Sequence, residues 1–85
     1  MSSVLDRLAR LLERDFSLAP GQLHPDATLE GLDIDSLRLI EIVFAIEDEF
    51  GITMPQDQGE IRGRVKTLGD LAALVEELVA AKAGG

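Results

Sequence analysis

The stretch from Ser36 to Phe50 constrains the fold more than any other part of the chain. Its apolar residues fall at positions 37, 40, 43, 44 and 50, with a second row at 39, 42 and 46, and both rows have helical spacing. Polar residues occupy only a narrower stripe. A helix that is apolar over more than half its circumference must be largely buried or must offer apolar surface to a partner. Gly51 and Pro55 follow as stop signals, so we predict a helix over about 36–50.

Two further patterns of apolar residues predict helices, and a weaker pattern predicts a short one. Apolar residues from Val4 to Phe16 predict a helix over about 3–16, and those from Leu68 to Val79 predict another over about 68–82. Residues 57–62 can form a short helix, although neighbouring glycines weaken it. No alternating strand pattern competes. We therefore expect one all-α domain over residues 1–85, a small bundle of three main helices plus one short helix.

The connection between the first two helices, residues 17–35, is long for so small a domain. It is punctuated by proline and glycine, but it also carries apolar residues spaced along its length. These are predicted to pin the loop across the helix ends: Leu18, Leu23, Leu29, Leu32 and Ile34.

Composition narrows the core and the partners. Of the 85 residues 46% are hydrophobic, but only three are aromatic, all of them Phe, so aliphatic side chains must fill the core. Sixteen acidic residues against eight basic ones give a net charge of −8, which should repel nucleic acid and anionic lipid and attract basic protein surfaces. The chain has no cysteine, no apolar run of membrane-spanning length and no secretory signal pattern, so we expect a cytoplasmic protein without membrane insertion.

Ser36 lies where the long loop gives way to the helix. On local chemistry alone the residue is interpreted as a helix N-cap, a position that serine favours, although Asp35 could serve equally. Nothing nearby could activate Ser36 as a nucleophile, because the single histidine, His24, lies in the loop. A lone histidine is also a poor metal site. With no paired acid-base set and no phosphate-binding glycine loop, an enzyme is not expected.

The residues around Ser36 resemble those of acyl carrier proteins. The resemblance rests on Asp35-Ser36-Leu37 opening an acidic amphipathic helix, on the Leu-Glu-Gly-Leu-Asp approach at 29–33, on Glu-Ile-Val at 41–43 and on Ile-Glu-Asp-Glu-Phe at 46–50. It implies that Ser36 carries a 4′-phosphopantetheine arm derived from coenzyme A. The chain would then carry acyl intermediates as thioesters for fatty acid, polyketide or specialised lipid and secondary-metabolite pathways, acting as a cosubstrate rather than an enzyme.

The resemblance also implies partners and a surface that they read. Asp35 and the acids of the second helix would be recognised by a phosphopantetheinyl transferase and by acyl-loading, condensing or acyltransferase enzymes with basic docking patches. We expect Leu37 to be an apolar anchor, and Glu41, Glu47 and Asp48, with Glu49, to be docking acids; a solvated helix surface is the alternative for each acid. We expect a monomer.

Arg38, which we also expect on the surface that docking partners read, departs from the family pattern. Fatty-acid-synthesis carriers usually have an acidic residue directly after Ser-Leu, so a cation here favours a specialised carrier. The alternative is that Arg38 simply pairs with Glu41 at i, i+3 spacing. The segment after Pro55 also looks longer, more basic and more interrupted by glycine than in those carriers.

Two other functions stay open at this point. An aminoacyl or peptidyl carrier would use the same arm for a different cargo. A small acidic interaction module would have no prosthetic group, and Ser36 would then only cap a helix. The mass of the protein after co-expression with a phosphopantetheinyl transferase distinguishes the two classes, because a carrier gains the mass of the arm and an interaction module does not.

Overall fold

The computed structural model describes residues 3–55 and 58–84. Its α-helices are α1 (Ser3–Phe16), α2 (Ser36–Phe50), α3 (Gln58–Arg64) and α4 (Leu68–Gly84), and Pro20–Gln22 form a short 3₁₀ helix. Over these two ranges the chain forms no strand, only one isolated antiparallel bridge between Thr28 and Thr67. The predicted all-α fold class is therefore confirmed.

The core is aliphatic, as the composition predicted. None of the described buried residues is polar or charged. Phe16 and Phe50 pack only partly buried against its edge, and Phe44 is exposed. The largest fully buried side chains are Leu8, Leu11, Leu12, Leu39, Ile42, Ile46, Met54, Ile61, Leu68, Leu71 and Val75.

The later helices extend further than predicted. Helix α3 runs to Arg64 because Ile61 is buried in the core and its carbonyl accepts a bond from Val65 N at 2.7 Å, which outweighs the cost of the glycines. Its predicted first residue, Asp57, lies outside the described residues. Helix α4 continues to Gly84, and its last turn is tied down by Lys82, whose Nζ donates to the carbonyl of Gly51 at 2.6 Å.

Helix α4 begins with a reciprocal capping box. Asp70 N donates to Thr67 Oγ1 at 3.1 Å, and Thr67 N donates back to Asp70 Oδ2 at 3.2 Å. Thr67 and Asp70 have the spacing of a capping box, with Asp in place of the usual Glu or Gln. The box fixes the start of α4 beside the α3–α4 connection.

The long α1–α2 loop is held against that connection. Leu29 N donates to the carbonyl of Lys66 at 3.0 Å, and Leu68 N donates to the carbonyl of Ala27 at 2.8 Å. Among the predicted anchors, Leu29, Leu32 and Ile34 are buried and the two earlier leucines are half-buried. The loop therefore arrives at α2 along a defined path.

Within the described ranges, no helix combines the length and the hydropathy needed to cross a bilayer.

Candidate functional site

Asp35, and not Ser36, caps α2. The backbone of Asp35 is extended (φ −83°, ψ −174°), its carboxylate accepts a bond from Arg38 N at 2.8 Å, and its carbonyl accepts the first helical bond from Leu39 N. The interpretation of Ser36 as the N-cap is therefore wrong. An aspartate at this position already reaches the third N–H of the helix. Ser36 is instead the first helical residue, and it is exposed.

The backbone just before the cap is constrained. Thr28 Oγ1 accepts a bond from Gly31 N at 2.9 Å, and Asp33 N donates to the carbonyl of Glu30 at 3.0 Å. Asp33 has a φ of 59°, in the left-handed region that side chains other than glycine seldom adopt. Such strain persists only where the surroundings enforce it, so the approach to Ser36 has a fixed geometry.

An open groove of about 810 Å³ lies beside Ser36. One side comes from the α1–α2 loop and the start of α2, and the other from the α3–α4 connection. Its lining is Thr28, Leu29, Glu30, Asp33, Ile34, Asp35, Ser36, Leu39, Val65 and Lys66. Thr28 and Lys66 are not among the site residues that the sequence predicted. Both come from segments distant in the chain, and only the backbone bonds between these segments bring them together.

Helix α2 presents an exposed apolar face. Leu37 is 67% exposed, Phe44 is 64% exposed and Ile40 is 37% exposed. The apolar residues of the core, by contrast, are at most 8% exposed. Their spacing of three and four residues puts them along one side of the helix. We call Leu37, Ile40 and Phe44 the α2 apolar face.

The predicted docking acids of α2 have different environments. Glu41 and Asp48 are exposed, and neither belongs to an ion pair within 3–55 and 58–84. Glu47 is half-buried, and its Oε2 accepts a bond from Met54 N at 2.9 Å, which fixes the segment after α2. Glu49 faces α1, where it lies 3.3 Å from Arg7 and 3.6 Å from Arg14.

The side chain of Arg38 lies over the end of α1. Its guanidinium carbon is 5.7 Å from the centroid of the Phe16 ring, a cation–π distance. The described ion pairs do not include one between Arg38 and Glu41. The alternative of an Arg38–Glu41 pair is therefore not supported, because the side chain packs over the end of α1 instead.

Comparison with known proteins decides the family. A family model described as a phosphopantetheine attachment site matches residues 5–75. The chain is 39% identical to acyl carrier protein AcpXL of Brucella melitensis, over 99% of this chain and 100% of that protein. It belongs to the acyl carrier protein family. It is also 40% identical to the acyl carrier protein of Streptomyces coelicolor (96% of this chain, 88% of that protein) and 30% identical to the meromycolate extension acyl carrier protein of Mycolicibacterium aurum (88% and 75%).

Family membership confirms the predicted role. This acyl carrier holds its cargo as a thioester on a covalently attached 4′-phosphopantetheine, and its relatives are carriers rather than enzymes. The thiol comes from the arm, which explains how a chain without cysteine can form thioesters.

The groove fits such an arm. Its volume lies within the range of about 300–1,000 Å³ typical of small-molecule sites. The phosphate, amide and methyl groups of the arm need both polar and apolar neighbours, and the groove offers Thr28 and Lys66 as well as Ile34, Leu39 and Val65. The start of α2 borders the groove, and a helix N-terminus favours an anion through its dipole and its first N–H groups.

Proposed function

We propose that Ser36 is the residue to which the 4′-phosphopantetheine arm is attached. The observation that carries this proposal is that Asp35 caps α2, whereas Ser36 is exposed and lines the groove. In the attachment reaction the Ser36 oxygen forms a phosphodiester bond with the phosphopantetheine phosphorus of coenzyme A. The bond to adenosine 3′,5′-bisphosphate breaks, and the hydroxyl proton is lost.

The docking surface in this proposal combines the α2 apolar face with charges at its edge. Leu37 is the apolar anchor nearest to Ser36, and Asp35, Glu41 and Asp48 supply exposed carboxylates along the helix. Apolar side chains this exposed mark interaction sites when polar residues surround them. Glu47 contributes to this surface mainly by holding the backbone at Met54.

The partners in this proposal are a phosphopantetheinyl transferase and acyl-loading, condensing or acyltransferase enzymes with basic docking patches. They would use the loaded chain as a cosubstrate. The net charge of −8 supports electrostatic attraction to such patches. We also propose that the protein is a monomer and that it is cytoplasmic. Light scattering tests the oligomeric state, and fractionation of the expressing cells tests the location.

Mass spectrometry after co-expression with a phosphopantetheinyl transferase tests the attachment. The wild type should gain the mass of one phosphopantetheine, and Ser36→Ala should not. Ser17→Ala is the matched control because Ser17 is also an exposed serine next to a helix end. It should be modified as fully as the wild type. The proposal would be contradicted if Ser36→Ala gained the mass of the arm, or if the wild type did not gain it.

We further propose that this carrier serves a specialised lipid pathway rather than general fatty acid synthesis. Arg38 places a cation two residues from Ser36, where it weakens the acidic field that a basic partner meets. Its relatives include the carrier named for meromycolate extension as well as carriers with no such specification. We expect that a condensing enzyme of general fatty acid synthesis elongates the wild type poorly and Arg38→Asp better.

Arg38→Ala is the control for this experiment, because it removes the cation and the contact with Phe16 without adding an acid. If Arg38→Ala restores elongation less than Arg38→Asp does, the charge at position 38 sets the elongation rate, and not merely the loss of the contact with Phe16. Equal rates for the wild type and Arg38→Asp would remove the main argument for a specialised carrier.

A further inference from the structure

The groove beside Ser36 has an uneven charge distribution. Glu30, Asp33 and Asp35 put three carboxylates on the loop side, whereas Lys66 is the single cation among the lining residues that the structure describes. A phosphodiester on Ser36 would add another negative charge to this site. Like charges at close range destabilise one another unless a cation lies between them or nearby.

The backbone of Lys66 is fixed from two directions. Its carbonyl accepts the bond from Leu29 N at 3.0 Å, and its N–H donates to Asp70 Oδ2 at 3.1 Å. The Cα atom therefore has a defined place opposite the start of α2. The side chain is exposed, and no ion pair in the described part of the chain involves its ammonium group.

Most other cations whose side chains are described are already engaged. Arg7 and Arg14 pair with Glu49, Arg64 pairs with Glu77 at 3.0 Å, Lys82 bonds the carbonyl of Gly51, and Arg38 stacks on Phe16. Lys66 differs from all of these because it lies in the groove and its charge has no such partner.

We propose that Lys66 is the positioning residue that binds the phosphodiester of the arm and holds its first atoms against the α3–α4 connection. This inference rests on the proposed attachment to Ser36. The phosphate is bonded to the Ser36 oxygen, so it cannot leave the mouth of the groove. A lysine ammonium has three donors and matches a phosphate as a point charge. The arm would then lie along the Lys66 side of the groove.

NMR of the complete protein, with and without the arm, tests this contact directly. The sequence contains only two lysines, Lys66 and Lys82, so selective ¹³C labelling of lysine gives two easily assigned side-chain signals. Attachment should shift the ε-methylene signal of Lys66 and produce NOEs to the arm methylene next to the phosphate. Lys82, which is held at the end of α2, should show neither effect. No NOE and no shift at Lys66 would overturn the proposal.

A thermal measurement adds a readout that does not depend on activity. For each variant the melting temperature of the form with the arm is compared with that of the form without it. An exposed ion pair of ordinary strength in a domain of this size corresponds to about 1–8 °C in melting temperature. The change in melting temperature on attachment should therefore be less favourable in Lys66→Gln than in the wild type by about that amount, and Lys66→Arg should restore it. At high salt the wild-type change should approach that of Lys66→Gln.

Arg64→Gln is the matched control, because Arg64 is a nearby exposed cation that pairs outside the groove. It should keep the wild-type response to attachment. An equal loss in Arg64→Gln, or none in Lys66→Gln, would mean that only the general field of the protein acts on the phosphate. Modified Ser36 with an unresponsive Lys66 refutes this inference alone, whereas an unmodified Ser36 refutes the proposed function as well.

Discussion

Substitutions at Asp35 and Ser36 should separate stability from modification: Asp35 supports the stability of α2, and Ser36 is needed for modification. The carboxylate of Asp35 accepts the bond from Arg38 N at 2.8 Å, so Asp35→Ala leaves that N–H at the start of α2 without its partner. Loss of an N-cap typically costs about 1 kcal/mol, within a range of roughly 0.5–2 kcal/mol. Ser36 is not the cap, and Ser36→Ala at this exposed position should change stability by less than about 0.5 kcal/mol.

The difference is large enough to measure. One kcal/mol corresponds to about 4–8 °C in melting temperature for a domain of 60–100 residues. Asp35→Ala should therefore melt several degrees below Ser36→Ala in the form without the arm. Asp35→Asn is the informative control, because asparagine caps helices about as well as aspartate but carries no charge.

Thermal denaturation followed by circular dichroism, combined with mass spectrometry of the modification, gives both readouts. We expect Ser36→Ala to be stable and unmodified, and Asp35→Ala to be destabilised. Asp35→Asn should keep most of the stability but be modified more slowly if the transferase reads the charge. If Ser36→Ala lost as much stability as Asp35→Ala, the assignment of the cap would be refuted.

Three further predictions concern the surroundings of the site. Because Asp33 has a φ of 59°, Asp33→Gly should be more stable than Asp33→Ala by about 1 kcal/mol in denaturant titrations. Bonds from two backbone N–H groups lower the pKa of Asp70 below its ordinary value of 3.8. The stabilisation is present above that pH and lost as the pH falls through the lower folded value, so Asp70→Asn should flatten the acid-unfolding curve below about pH 4. Charge reversal at Glu41 or Asp48 should slow modification without altering the fold, and salt should slow the wild type similarly; equal rates would argue against electrostatic docking.

Periodicity predicted the helices well because buried helices must repeat their apolar residues at the helical spacing. The stripe ending at Phe16 and the run from Ser36 to Phe50 both became helices, and the loop anchors Leu29, Leu32 and Ile34 are buried. Local chemistry alone could not decide between Asp35 and Ser36 as the cap. Either side chain can accept the bond, and only the extended backbone at Asp35 shows which one does.

The contacts that sequence reasoning missed are all between distant segments. Nothing near Glu49 in the chain indicates that Arg7 and Arg14 lie across from it, and nothing near Ser36 indicates Lys66. Such pairs depend on how the helices pack, and a stripe pattern does not determine helix packing. The spacing of Arg7 and Arg14 indicates only that both lie on one face of α1.

The acids of α2 therefore do less at the surface than their number suggests. Glu49 is paired with α1, and Glu47 holds the backbone at Met54, so Glu41 and Asp48 are the exposed carboxylates within the helix. The α2 apolar face lies along the same helix, with Leu37 and Phe44 each about two-thirds exposed. Exposed charges attract partners at a distance and set association rates, whereas burial of apolar side chains supplies most of the affinity at short range. A partner that matches the shape of this face can thus hold the carrier firmly after a modest electrostatic encounter.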